Sequence, residues 1–119
     1  MGDEQVVTGV MKEWAAAVDS HDPARVAAVF TEDAVFRGLR PYGVGRRAVA
    51  DYYDSQPQGM TVGYRILETR RPSAGVVLAY LDATFSYPDR PPVQVSIGVT
   101  LIRTADGWRV LQYQASPAA

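Results

Sequence analysis

Cysteine is absent from this chain, which removes disulfides, thiolate metal sites and cysteine nucleophiles at once. Histidine occurs once, as His21, so a metal site has no histidine pair to build on, and neither a metal nor a cofactor is expected. Neither sign of charge is in surplus. Twelve basic residues, eleven of them arginine and spread between Arg25 and Arg109, leave a net charge of −1, and nucleic acid is not an expected partner. No stretch approaches the length of apolar sequence that a membrane span needs, and the N-terminal MGDEQ is acidic where a secretory leader is basic. The expectation is a cytoplasmic protein without membrane contact.

What is present is the composition of an ordinary globular chain: 119 residues, 47% hydrophobic and 21% charged, read as one domain over residues 1–119 with no linker or repeat. The first half has helical spacing. Val7, Met11, Trp14 and Val18, with Val6, Val10 and Ala17 beside them, form one stripe on a helix over residues 4–19 that Asp3 can cap. In SHDP, Asp22 suits an N-cap and Pro23 the first helical position, where a missing N–H costs nothing. This second helix is expected to run to about Phe30, followed by a short extended piece at Ala34–Arg37. GLRPYGVG reads as a loop and RRAVADYYDSQ as a third helix, stopped by Pro57 and Gly59.

From Met60 onward β-branched and aromatic residues take over. MTVGYRILETR, VVLAYLDATFSY, VQVSIGVTLIRT and WRVLQYQAS predict four long strands, joined by the turn-like RPSAG, PDRPP and ADG as an antiparallel meander. Helices first and strands last predict an α+β fold, a curved antiparallel sheet packed on three N-terminal helices. Both strand faces are partly apolar, so one should meet the helices and the other a second copy of the chain, making a homodimer.

Three segments, AVDSHDPARVAAVFTEDAVF, YGVGRRAVADYY and DGWRVLQYQAS, together resemble the nuclear-transport-factor-2-like (cystatin-like) superfamily over nearly the whole chain, and within it the SnoaL-like and SgcJ/EcaC-type proteins. The resemblance implies a cone-shaped pocket, dimerisation through the sheet, and a range of functions from isomerases and polyketide cyclases to noncatalytic binding modules. Its best-known catalytic groups do not carry over. The tyrosine and general-base positions of the ketosteroid isomerases fall on Trp14 and Gly38, and the second acid near Gly98 or Val99, none of which exchanges protons. SnoaL-type cyclases pair an acid with a histidine, but His21 lies in a helix-to-helix turn. The Asp-Arg-Asp relay of the limonene-epoxide-hydrolase type has no counterpart.

The remaining candidates are few. Asp82 is the one carboxylate in the middle of a predicted strand; facing a pocket it would be a raised-pKa acid or base, facing outward a solvated or interfacial charge. Tyr53 stands where the resemblance places a helix-three tyrosine that supports the site. Gln112 and Gln114 share a strand face with Val110 and Ser116, by alternation, and would orient a polar ligand or merely satisfy each other. Trp14, Phe30, Phe36 and Tyr64 would make an aromatic wall or a plain core. GVGRR before the third helix is a weak phosphate signal that lacks a strand-turn-helix frame. The expectations are therefore a SnoaL-like pocket protein acting by proton transfer on a polycyclic, polyketide-like metabolite, with Asp82 and Tyr53 catalytic, or a noncatalytic homodimer that binds a hydrophobic ligand or assembles.

Overall fold

The apolar stripe of the first helix settles where the interior lies. In the computed structural model, which describes residues 2–118, α1 spans Asp3–Asp19 and buries Val7, Met11, Trp14 and Ala17 completely. Asp3 is not its cap: Gly2 holds that place, and Asp3 sits in the first turn, paired at 2.6 Å with Arg71. After the turn at Ser20–Asp22, the Asp22 carboxylate accepts from the Arg25 N–H and Pro23 opens α2, Pro23–Ala27. This helix is shorter than its sequence suggests, because Phe30 is already the first residue of β1, Phe30–Arg37. The GLRPYGVG segment also carries more than a loop: Tyr42–Val44 forms β2, an antiparallel partner of β1, before α3 begins at Arg46 and runs to Asp54.

Four long strands follow as predicted, β3 (Thr61–Ser73), β4 (Val76–Ser86), β5 (Val93–Thr104) and β6 (Gly107–Pro117). The tight β5–β6 turn requires a positive φ at Gly107, 106°, a conformation that only glycine adopts without strain. The sheet order is β2-β1-β6-β5-β4-β3. Its meander is antiparallel, but β6 closes onto β1 in parallel, so the sheet is mixed rather than antiparallel throughout. No hairpin ties those two strands, which leaves their relative direction free.

Strand alternation gives the sheet two unlike faces. Leu81, Ile97, Leu101, Val110 and Tyr113 point to the helices and are buried, whereas Tyr80, Asp82, Ser96, Gly98 and Gln114 point away. α1 lies across β3, β4 and β6, and α3 against β1 and α2. The Asp19 carboxylate fixes the end of α1 by accepting the Val62 N–H at 2.8 Å, which also occupies a donor of edge strand β3. Among the described residues no helix is long and apolar enough to cross a membrane.

Candidate functional site

The concave face of the sheet gathers aromatic rings from six elements. Phe36 from β1 stacks on Tyr113 from β6 at 4.9 Å between centroids and 18° between planes, and meets Tyr52 and Tyr53 of α3 at 5.2 and 5.8 Å. Trp14 of α1 lies edge-on to Phe85 and Tyr64, and Phe30 bridges Phe36 and Tyr113. Offset and edge-to-face rings at these separations each add roughly 0.5–1.5 kcal/mol beyond the area they bury.

One polar thread runs through this cluster. The Trp14 indole Nε1 donates to the Tyr53 hydroxyl at 3.1 Å, wholly buried, and the Tyr53 and Tyr113 phenols are close enough for each to perturb the other's titration. Burial pushes both phenols well above the usual range, with the hydrogen bond from Trp14 opposing this at Tyr53. Tyr52 and Tyr64 are raised by burial as well, to a lesser depth. At neutral pH these groups are proton-bearing donors. They do not act as bases.

The space left between the rings is small. A hollow at the open end of the sheet, walled by Phe36, Gly38, Tyr52, Phe85 and Tyr113, measures about 40 Å³, room for little more than one or two waters. Gly38, to which the resemblance assigns the general base, is buried there, and a Cβ would stand 2.9 Å from the Pro41 ring. A carboxylate at that position has no room. Val99, near the position of the second acid, is an inward, buried core residue, while Gly98 lies outside under the Tyr80 ring.

The sequence candidates divide between the two faces. Trp14, Phe30, Phe36, Tyr53 and Tyr64 come together inside. Asp82, Gln112, Gln114 and Ser116 are placed on the outer face, separated from them by the thickness of the sheet. The shared face read for Val110 and Gln112 is a correction: β6 carries a bulge at Leu111, opposite Thr100–Leu101, so Val110 turns inward and Gln112 outward. Gln112 accepts from the Thr100 hydroxyl at 3.3 Å, and Asp82 pairs with Arg65 directly across from it on β3, Oδ2 to Nη2 3.1 Å. GVGRR is likewise occupied with structure, since Arg46 Nε donates to the Phe30 carbonyl at 2.8 Å. His21 takes a left-handed turn conformation, φ 50°. Among the described residues no three potential metal ligands gather. The interior residues that sequence reasoning passed over are Tyr52, Phe85 and Tyr113; Tyr113 was signalled by its position between two glutamines on an alternating strand.

A curved sheet wrapped over helices, with an aromatic interior and a broad polar-apolar outer face, defines an α+β protein of the cystatin-like, nuclear-transport-factor-2-like fold. The chain belongs to the SnoaL-like domain family, whose model matches residues 7–119. Its fold is similar to that of a cystatin-like domain of unknown function from Nostoc punctiforme, with TM-score 0.86, 15% identity, and coverage of 98% of this chain and 78% of that one. A ketosteroid isomerase-like protein from Erwinia carotovora atroseptica gives 0.81 at 23% identity over 97% and 95% of the two chains. A proposed calcium/calmodulin-dependent protein kinase type II association domain from Thiobacillus denitrificans gives 0.77 at 21% over 92% and 93%. No curated protein matches the chain by sequence.

Proposed function

We propose that this SnoaL-like protein is a noncatalytic homodimeric module, in which the sheet interior is a structural core and the outer sheet face joins two copies. The observation that carries this reading is the packing of the interior. Pockets that take drug-sized or polycyclic molecules occupy roughly 300–1,000 Å³; the hollow between Phe36 and Tyr113 offers about 40 Å³. The groups beside it are phenols held in their protonated form. Asp82, the one strand carboxylate proposed for proton transfer, stands on the outer face against Arg65.

That outer face supports the dimer. Tyr80, near the middle of β4, is 51% exposed and Leu78, closer to its start, 41% exposed, and a bulge in β3 leaves Leu67 exposed as well. Around them lie short polar side chains, Ser96, Gln112, Gln114 and Ser116, that suit a flat, hydrogen-bonded contact. The fold is also that of the kinase association domain named above, whose description is one of assembly.

A second reading is favoured by the Trp14–Tyr53 hydrogen bond, which is an unusual investment of polar groups for a plain core. With Phe36 swung aside, Tyr53 and Tyr113 would donate to a carbonyl of a small aromatic ligand. Sedimentation equilibrium tests the first. The first reading expects a dimer at micromolar concentration and a folded monomer for Tyr80→Glu; a wild-type monomer at every concentration tested contradicts it.

A further inference from the structure

A hollow far roomier than the one between the interior rings lies outside the sheet interior. It is an open groove of about 530 Å³ between α1, the residues that follow α2 and the start of β6. Its floor is apolar, made by the buried Val6, Val10 and Val29, and Trp108 stands at one side. At the end nearer the C-terminus of α1 it is closed by Glu13 and Arg25, a two-point ion pair at 2.6 and 3.1 Å that leaves little net charge. The other end differs. There the Arg71 and Arg103 guanidiniums lie 5.4 and 6.0 Å from the Trp108 ring, and Arg109 folds back so that its Nη1 donates to the Trp108 carbonyl at 2.9 Å.

Charge is unbalanced at this end. Arg71 is paired with Asp3, but neither Arg103 nor Arg109 forms an ion pair among the described residues. The other acid close by in sequence, Asp106, sits in the exposed β5–β6 turn, and its amide is bound to the Thr104 hydroxyl. An apolar trough with surplus cation at one end is complementary to an apolar molecule with an anionic head. Gly9 adds a second sign. It stands at mid-helix on the groove, where glycine is the poorest helix former short of proline, and a Cβ built there meets nothing within 4 Å. Nothing inside the chain requires the missing side chain. Its effect is to keep the groove open.

We propose that this groove binds an apolar carboxylate, a long-chain or aromatic acid lying over Gly9 against Val10, Val29 and Trp108, with its head group on Arg109 beside Arg103. The test is calorimetric titration of the full chain with dodecanoate and with neutral dodecanol, accompanied by NMR shifts of the Gly9 amide and the Trp108 indole N–H. Dodecanoate is expected to bind one per chain, at least tenfold more tightly than dodecanol, and to move both signals. Gly9→Leu fills the groove with a better helix former, so its melting temperature should hold or rise while dodecanoate affinity falls tenfold or more. Arg109→Gln should erase the preference for the acid over the alcohol. Unchanged binding in Gly9→Leu, equal affinity for acid and alcohol, or shifts confined to Tyr53 and Tyr113 at the sheet interior would each overturn the proposal. Tyr80→Glu, the monomer variant, should bind dodecanoate as the wild type does, which keeps this result independent of the dimer.

Discussion

The two faces of the same four strands, one residue apart at every position, have opposite characters. On the inner face Leu81, Ile97, Leu101 and Tyr113 are buried in the core. On the outer face Tyr80, Asp82, Ser96 and Gln114 are left to solvent within this chain. The difference teaches that the polar residues that look most functional in the sequence line open hollows on the outer face, not the enclosed interior. The groups that are enclosed are phenols and an indole. The chemistry-bearing side chains of this chain lie on its outer sheet face.

That contrast can be broken most forcefully from inside. Phe36→Ala removes the ring that touches Phe30, Tyr52, Tyr53 and Tyr113, and should cost about 3–5 kcal/mol in urea denaturation, a large share of a small domain's stability. The outer Tyr80→Ala, in dilute monomer, should stay within about 0.5 kcal/mol of wild type. Its effect belongs to association instead, where truncating a central tyrosine commonly weakens an interface by about 2 kcal/mol or more, read as the shift of the sedimentation isotherm. Tyr53→Phe leaves the Trp14 N–H buried without its acceptor and should cost about 1–3 kcal/mol, with a change in near-ultraviolet circular dichroism.

Alkaline pH sharpens the same comparison without mutation. The folded state holds Tyr53 and Tyr113 protonated where the unfolded chain would release those protons, at about pH 10. The native state therefore binds more protons, so stability is full below that pH and falls as pH rises above it. Tyrosinate absorbance from these two residues should appear together with loss of the fold, not before it. The smallest effect is expected outside: Asp82→Asn, breaking a pair with Arg65 that is largely exposed, should change stability by about 0–1 kcal/mol and less in high salt.

Much of the fold was legible because periodicity reports burial. The stripe Val7, Met11, Trp14 and Val18, the cap at Asp22 with Pro23 behind it, and the four β-rich runs each carry a local signal strong enough to place an element. What escaped was set by tertiary pairing. Phe30 and Thr31 join a strand because β6 lies alongside, with the Val110 N–H donating to the Val29 carbonyl at 2.9 Å. Tyr42–Val44 becomes a strand because β1 is its partner.

The candidate site was legible only in half for a related reason. The inner aromatics were found by residue type, whereas the faces of Asp82 and the glutamines depend on register, and a single bulge at Leu111 reverses the relation of Val110 to Gln112. The Arg65–Asp82 pair joins residues seventeen apart that only strand pairing brings opposite one another.

A crystal structure of the protein purified from its expression host tests the central claim most directly, that the sheet interior is a closed core and the outer face an interface. The account predicts Phe36 stacked on Tyr113 with no molecule between them, and two copies meeting across Tyr80. Phe36 and Tyr113 parted around a bound aromatic molecule that Tyr53 hydrogen-bonds would contradict it.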